Sequence, residues 1–135
     1  MILLPAGGQA RTTMLLRTAL FLLLALQLVD AEAAGDVAAG KRLFATCASC
    51  HQVGHSARGG FGPQLNGIIG RQAGATSDFH YSPAMKNAGF VWSEAKLRAF
   101  LKSPDDVVPG NKMRFWGIGS DKDIDNLLAY LRTFP

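Results

Sequence analysis

The sequence of 135 residues predicts a small all-α domain built from helices and long loops. Three observations lead to this fold class. Several short segments have apolar residues at helical spacing and begin with capping residues, and no segment alternates convincingly as a strand. A Gly-rich stretch from Gln52 to Phe79 shows little periodicity. Because loops of this length are unusual in so small a domain, they suit a fold wrapped around a prosthetic group.

Residues 1–33 have the features of a cleaved secretory signal peptide. Arg11 and Arg17 supply a positive first region, residues 18–29 form an apolar stretch, and residues 31–33 read A-E-A, an A-x-A cleavage site. An uncleaved anchor is the alternative, but a spanning helix needs about 20 apolar residues and upstream extension meets Arg17. Translation from Met14 would give a signal of more ordinary length. Cleavage leaves residues 34–135 as one domain.

The charge balance of the mature domain is mildly positive. The full chain has 14 Lys and Arg against 10 Asp and Glu, and residues 1–33 hold two of each sign, so the net charge of +4 is unchanged by cleavage. This balance permits docking onto acidic protein surfaces. It is too small and too scattered to indicate a nucleic-acid partner. No heptad or exposed apolar stripe indicates an oligomer, so we expect a monomer.

Two helices are expected in the first half of the mature domain. Asp36 is the predicted N-cap of a helix over residues 37–51, which carries Gly40 and Phe44 on one face. Residues 82–89 contain the signals of a complete short helix, with a serine cap, a proline in the first turn and a glycine as the stop.

Two more helices are expected toward the C-terminus. Ser93 caps a helix that Pro104 ends, and a loop is predicted over residues 105–119. Ser120 with Asp123 resembles a capping box that opens the last helix. The buried stripes of the two helices are predicted to consist of Leu97, Phe100 and Leu101, and of Ile124, Leu127, Leu128 and Leu131.

The most specific motif is Cys47-Ala48-Ser49-Cys50-His51, the C-x-x-C-H attachment pattern of c-type haem. Two thiols three positions apart on one helical turn can each add to a vinyl group of the porphyrin. His51 then directs its imidazole at the iron as the proximal ligand. One covalently attached haem c is therefore the predicted cofactor, and it would supply apolar core that a domain of this size lacks.

Other uses of the two cysteines fit less well. A zinc site needs a second pair of Cys or His ligands at suitable spacing, and thioredoxin-like chemistry needs a βαβ context. A disulfide between Cys47 and Cys50 is the remaining alternative. The haem interpretation is preferred because it also explains His51.

The sixth ligand of the iron has four candidates in the mature chain, which are Met85, Met113, His55 and His80. Met113 is preferred, because Pro109 and Gly110 would turn the chain before it, and a thioether ligand raises the reduction potential of a haem. Met85 lies in the short helix, where core filling is its more natural role. Both histidines are expected at the surface.

Further motifs accompany the haem motif over nearly the whole mature chain. They are GKRLF at 40–44, GPQLNGIIGR at 62–71, FHYS at 79–82, Trp92 at the head of the third helix, PGNKM at 109–113 and LLAYL at 127–131. Together they resemble the class I c-type cytochromes, and most of all the branch of mitochondrial cytochrome c and bacterial cytochrome c2. The resemblance implies the small cytochrome c fold.

The resemblance also implies roles for individual residues. Pro63 would accept a hydrogen bond from Nδ1 of His51, which orients the ligand. Phe115 would cover the haem edge beside Met113, and Gly40 would let the first and last helices cross closely. Four residues would face the haem propionates, namely Arg71, Tyr81, Ser82 and Trp92. The alternatives are that Trp92 and Tyr81 are core aromatics and that Arg71 is a surface charge.

Four positions depart from the pattern of this branch. Phe100 stands where a tyrosine is usual, and Met85 stands where an asparagine is common, so a polar network beside the methionine ligand is not expected here. Asp105 and Asp106 stand where relatives tend to have lysines around the exposed haem edge. The docking surface should therefore be less basic than in those relatives.

The function implied is that of a soluble periplasmic carrier of single electrons, with low-spin haem c ligated by His51 and Met113. Its partners would be redox proteins that dock transiently, such as membrane cytochrome complexes, oxidases or reductases. Lys86, Lys112 and Arg114 are candidates for this docking. A peroxidase-like enzyme is the first alternative, and it would need an open, polar distal site. A haem subunit fixed to a larger enzyme, or a carrier tethered by an uncleaved signal, is the second.

Overall fold

The computed structural model describes residues 35–135, and the predicted signal peptide over 1–33 lies outside the described residues. Five helices follow one another in the described range: α1 Val37–Phe44, α2 Pro83–Lys86, α3 Glu94–Lys102, α4 Pro104–Val107 and α5 Asp121–Leu131. An isolated antiparallel bridge joins Gln72 and Val91, and no strand forms within 35–135. The all-α prediction is confirmed. No helix in this range is long and apolar enough to span a bilayer.

The predicted N-caps are present. The Asp36 carboxylate accepts hydrogen bonds from the backbone N–H groups of Ala38 and Ala39 at 2.7 and 3.0 Å. The hydroxyl groups of Ser82, Ser93 and Ser120 each accept from the N–H three residues later, at 3.1–3.2 Å. These bonds satisfy N–H groups that have no partner inside the helix, which explains why the helices begin where they do.

The first helix is shorter than predicted. α1 ends at Phe44 instead of continuing to His51, and residues 45–50 form turns. The amides of Ala45 and Thr46 bond to the carbonyl three residues earlier, at 3.2 Å each. Such bonds tighten the last turn of a helix. The haem motif still lies on one turn, because the His51 N–H donates to the Cys47 carbonyl at 2.9 Å.

The loop predicted over residues 105–119 is also shorter, because Pro104 opens α4 as well as ending α3. The fixed φ of proline suits the first position of a helix. Asp105 and Asp106 lie in the first turn of α4, where negative charge is favourable. Ser103, in an extended conformation, separates the two helices.

The core forms where α1 crosses α5. A Cβ at Gly40 would overlap the backbone carbonyl of Asn126 and would lie 2.8 Å from Cβ of Tyr130. The rings of Phe44 and Tyr130 lie 5.4 Å apart. The predicted helix crossing at a glycine is therefore confirmed. All seven apolar residues predicted for the stripes of α3 and α5 are buried: Leu97, Phe100, Leu101, Ile124, Leu127, Leu128 and Leu131.

Candidate functional site

The imidazole of His51 is held by one short hydrogen bond. Its Nδ1 lies 2.7 Å from the backbone carbonyl oxygen of Pro63. A carbonyl oxygen can only accept, so Nδ1 carries the proton and donates it to this bond. The other ring nitrogen, Nε2, then has a free lone pair, and this is the arrangement of a metal-ligating histidine whose second nitrogen is oriented by a backbone acceptor.

The backbone of Gly62 packs closely against the His51 ring. The residue is buried, and a Cβ built on it would lie 2.5 Å from Cε1 and 2.8 Å from Nδ1 of His51. The Gly62 N–H donates to the carbonyl of Cys50 at 2.9 Å, which ties this segment to the cysteine turn. The sequence motifs predicted no role for Gly62. The one feature of the sequence that could have indicated this contact is that Gly62 directly precedes Pro63, whose carbonyl accepts the hydrogen bond from His51.

Electrostatics favour the neutral form of the His51 ring. Burial lowers the pKa of His51, the Pro63 hydrogen bond opposes this shift, and the positive charge of Arg71 adds a smaller lowering. A neutral imidazole is the form that binds a metal. Cys47 is half-buried and Cys50 is exposed, and both have free thiols. Burial raises the pKa of the Cys47 thiol.

Arg71 closes the loop that follows Pro63. Its guanidinium donates to the carbonyls of Gln64 at 2.8 Å and Asn66 at 3.0 Å. Burial lowers the pKa of Arg71, while the nearby Tyr81 and Asp78 raise it by less. Arg71 and Tyr81, which are ten positions apart in the sequence, are therefore neighbours in the fold.

The other residues assigned to the propionates have protein partners of their own. The Tyr81 hydroxyl shares a hydrogen bond of 2.7 Å with Thr76, and Ser82 is buried at the N-cap of α2. Trp92 is 5% exposed and packs edge-on against Phe90 and Phe100, at ring separations of 4.8 and 5.0 Å. Its backbone N–H donates to the Arg71 carbonyl at 2.9 Å, which brings Trp92 beside Arg71.

Met113 lies on the segment after α4. Its side chain is half-buried and packs against the core, as do those of Phe115 and Met85. Its backbone N–H donates to Oδ1 of Asn111 at 2.8 Å. The two histidines considered as alternative ligands, His55 and His80, are both exposed.

The donor set fits a covalently attached haem. Two free thiols on one turn are followed by an imidazole with an available Nε2, and a half-buried thioether lies elsewhere in the domain. Thiols, imidazole and thioether are the groups that hold c-type haem and its iron. Within residues 35–135, no group of three or more His, Cys, Asp or Glu side chains forms an alternative metal site. Fold and site together define a haem-c-binding protein.

Comparison with known proteins identifies the family. The model of the cytochrome c family matches residues 37–135. A cytochrome c2 of Agrobacterium tumefaciens is 51% identical over 100 residues, which cover 72% of this chain and 90% of the relative. A cytochrome c-550 of Nitrobacter winogradskyi is 47% identical over 100 residues, which cover 74% and 92%.

A solved structure agrees with the two sequence relatives. Cytochrome cH from Methylobacterium extorquens superposes with a TM-score of 0.69 at 41% identity, covering 73% of this chain and 99% of that protein. The chain belongs to the cytochrome c family. It is a class I c-type cytochrome of the c2 branch, with one haem c bound through Cys47 and Cys50.

Proposed function

We propose that this cytochrome is a periplasmic carrier of single electrons whose iron is ligated by His51 and Met113. Electron transfer as the general activity follows from the family. One observation supports the ligation above all others. The hydrogen bond of 2.7 Å between Nδ1 of His51 and the Pro63 carbonyl leaves the lone pair of Nε2 available to bind the iron.

A covalently held haem supplies a one-electron couple between ferrous and ferric iron. The protein would hold two ligands in place through both states, which limits the rearrangement that accompanies electron transfer. His51 is restrained by the Pro63 carbonyl and the Gly62 backbone. The Met113 thioether would favour the ferrous state and raise the reduction potential.

The residues that the family resemblance places near the methionine ligand favour a carrier over an enzyme. A peroxidase-like site would need an open distal position and polar acid–base groups. Phe100 is 7% exposed and packs against Trp92, and Met85 packs against the core. Neither residue offers a group that exchanges protons. Phe115, half-buried two positions after Met113, would limit access of water to the haem edge.

Arg71, Tyr81, Ser82 and Trp92 are proposed to face the haem propionates. Buried negative charge requires donors or positive charge nearby, and Arg71 is a partly buried cation next to Tyr81 and Trp92. The guanidinium has five N–H donors, and two of the hydrogen bonds that it makes go to backbone carbonyls. Its remaining donors could serve a propionate.

The proposed docking surface is based on exposed basic residues, and the proposed periplasmic location is based on the signal peptide. Lys86, Lys112 and Arg114 are exposed and would form weak electrostatic contacts with other redox proteins, which favour fast encounter over tight binding. Residues 1–33 would direct export and be removed, leaving a monomeric domain. Its proposed start agrees with the compact unit Ala34–Pro135.

The Met113→Ala variant tests the ligation. Axial ligands set haem potentials over a range of about 0.8 V, so we expect the potential to fall by an amount on the order of 0.1 V. The variant should also bind carbon monoxide promptly. Met85→Ala is the matched control, since it removes the other half-buried methionine and should retain the wild-type spectrum. An unchanged spectrum in Met113→Ala would overturn the assignment.

A further inference from the structure

The side-chain amide of Asn111 connects Met113 to helix α4 through three hydrogen bonds. Its Oδ1 accepts from the backbone N–H of Met113 at 2.8 Å. Its Nδ2 donates to the carboxylate of Asp105 at 2.8 Å and to the carbonyl of Val108 at 3.0 Å. The oxygen and the nitrogen of the amide are therefore both used, and the bond to Asp105 is charge-assisted.

The backbone reinforces this connection. The N–H of Asn111 also donates to the Val108 carbonyl at 3.0 Å, and Val108 is 3% exposed in the core. Asp105 lies in the first turn of α4, a helix that packs against α3. The hydrogen bonds to Asp105 and Val108 therefore attach the Asn111 side chain to the folded core, and its bond to the Met113 N–H restrains the residue that carries the thioether.

We infer that Asn111, held in its rotamer by Asp105, is a positioning residue that keeps the Met113 thioether in place for the iron. The inference rests on the proposed function, in which Met113 is a ligand. Asn111 is not itself a ligand. By restraining the Met113 backbone, it reduces the freedom of the thioether to leave, so external ligands compete less well for the iron.

The same contact gives Asp105 a role other than docking. Asp106, the other acid in this turn, is exposed and accepts no hydrogen bond from Asn111. The two neighbouring carboxylates therefore differ in one contact while sharing charge, helix and exposure. This makes Asp106 a matched control for Asp105.

The experiment measures binding of imidazole to the ferric form of the haem-loaded mature protein. A hydrogen bond typically contributes about 0.5–1.5 kcal/mol net, which corresponds to roughly 2- to 13-fold in an equilibrium constant. We expect Asn111→Ala to raise the imidazole affinity about tenfold, and Asp105→Ala to raise it about threefold. Asp106→Ala should leave it unchanged. Hydrogen exchange of the Met113 amide should accelerate in the first two variants only.

Exchanging the side chains of positions 111 and 105 distinguishes a positioning role of Asn111 from a general contribution to stability. Asn111→Asp places two carboxylates against each other and should weaken the methionine–iron absorption band. Adding Asp105→Asn provides a side-chain N–H donor to the introduced carboxylate and should largely restore both band and affinity. This rescue also keeps the test decisive if Asn111→Ala fails to fold.

The possible results distinguish two failures. Wild-type affinity in Asn111→Ala and Asp105→Ala, or equal effects of Asp105→Ala and Asp106→Ala, would overturn the inference while leaving Met113 as the ligand. Failure of the swap to restore the band would also overturn it. If the wild-type protein itself lacks a methionine–iron band, the proposed ligation is wrong and the inference is overturned with it.

Discussion

The two segments that present the proposed iron ligands are fixed in different ways. In the histidine loop, residues 47–63, the ring of His51 is held by a backbone carbonyl and by the backbone of a buried glycine. In the methionine loop, residues 108–115, Met113 is held through the side chain of Asn111, which bonds in turn to the exposed Asp105 of α4. Backbone partners surrounded by the fold move less readily than side-chain partners open to water. We therefore expect the proposed Met113 ligand to dissociate from the iron more readily than His51.

This difference suits a carrier. A histidine that keeps its orientation gives the iron a constant environment on one side. A methionine ligand held by several modest hydrogen bonds would remain bound under ordinary conditions, because bonds that each contribute about 1 kcal/mol act together.

Gly62→Ala should have the largest effect, because its Cβ would lie 2.5 Å from Cε1 of His51. The ring would have to move and distort its bond to Pro63. Overpacking of this kind typically costs about 1–3 kcal/mol. Chemical denaturation should show a loss of that size, and the haem spectrum should show disturbed histidine ligation.

Gly60→Ala is the control for Gly62→Ala. A Cβ at Gly60 meets nothing within 4 Å, so the free energy of unfolding should change by no more than about 0.5 kcal/mol. If both variants behave alike, the close fit of Gly62 against His51 does not restrain the ring, and the contrast between the loops is wrong.

Gly110→Ala probes the methionine loop in the same way and should have a smaller effect. Gly110 has φ of +83°, while its Cβ would make only an ordinary contact of 3.5 Å with Ala84. The cost is then mainly that of a left-handed residue with a side chain, about 1–2 kcal/mol. The variant should bind imidazole more readily with little change at His51. Disturbed histidine ligation in this variant would show that the loops are not independent.

The smallest effect is expected at the contact between Glu94 and Arg132, which fastens α3 to the chain after α5. Two hydrogen bonds of 2.5 and 2.7 Å join the side chains. The hydrogen bond from Arg132 lowers the pKa of Glu94, so the folded state favours the carboxylate. The stabilisation is present above the ordinary glutamate pKa of about 4.3 and is lost as the pH falls through the lowered folded-state pKa.

Both side chains of this pair are more than a third exposed, so the stabilisation is screened to about 0.5 kcal/mol. Glu94→Gln should lose that amount at neutral pH and flatten the dependence of stability on pH in the acid range. Imidazole affinity should not change, because neither loop contains the pair. A change in that affinity would connect the helical frame to the iron ligands.

The sequence was most informative where the structure is local. N-caps and apolar stripes depend on residues three or four positions apart, so Asp36, Ser93 and the face of α5 were predicted correctly. The end of α1 was wrong, because tight i→i+3 bonds after Phe44 leave no mark in the pattern of apolar residues. α4 was missed, because a proline that ends one helix can also begin the next.

The restraints on the two ligands were less visible. The fit of Gly62 against His51 and the bridge from Asn111 to Asp105 join residues 11 and 6 positions apart across loops. Neither spacing belongs to a helix or strand, so periodicity carries no information about them. Gly62 and Asn111 both lie in motifs that the sequence shows. The atoms that they contact are seen only in the folded structure.

The most direct test of the account is an optical spectrum of the purified mature protein in its ferric and ferrous forms, with and without carbon monoxide. Ligation by His51 and Met113 predicts a low-spin ferrous spectrum that carbon monoxide does not change, and a weak methionine–iron band in the ferric form. Prompt binding of carbon monoxide by the wild-type protein would contradict the account, because it would show an open or labile sixth position.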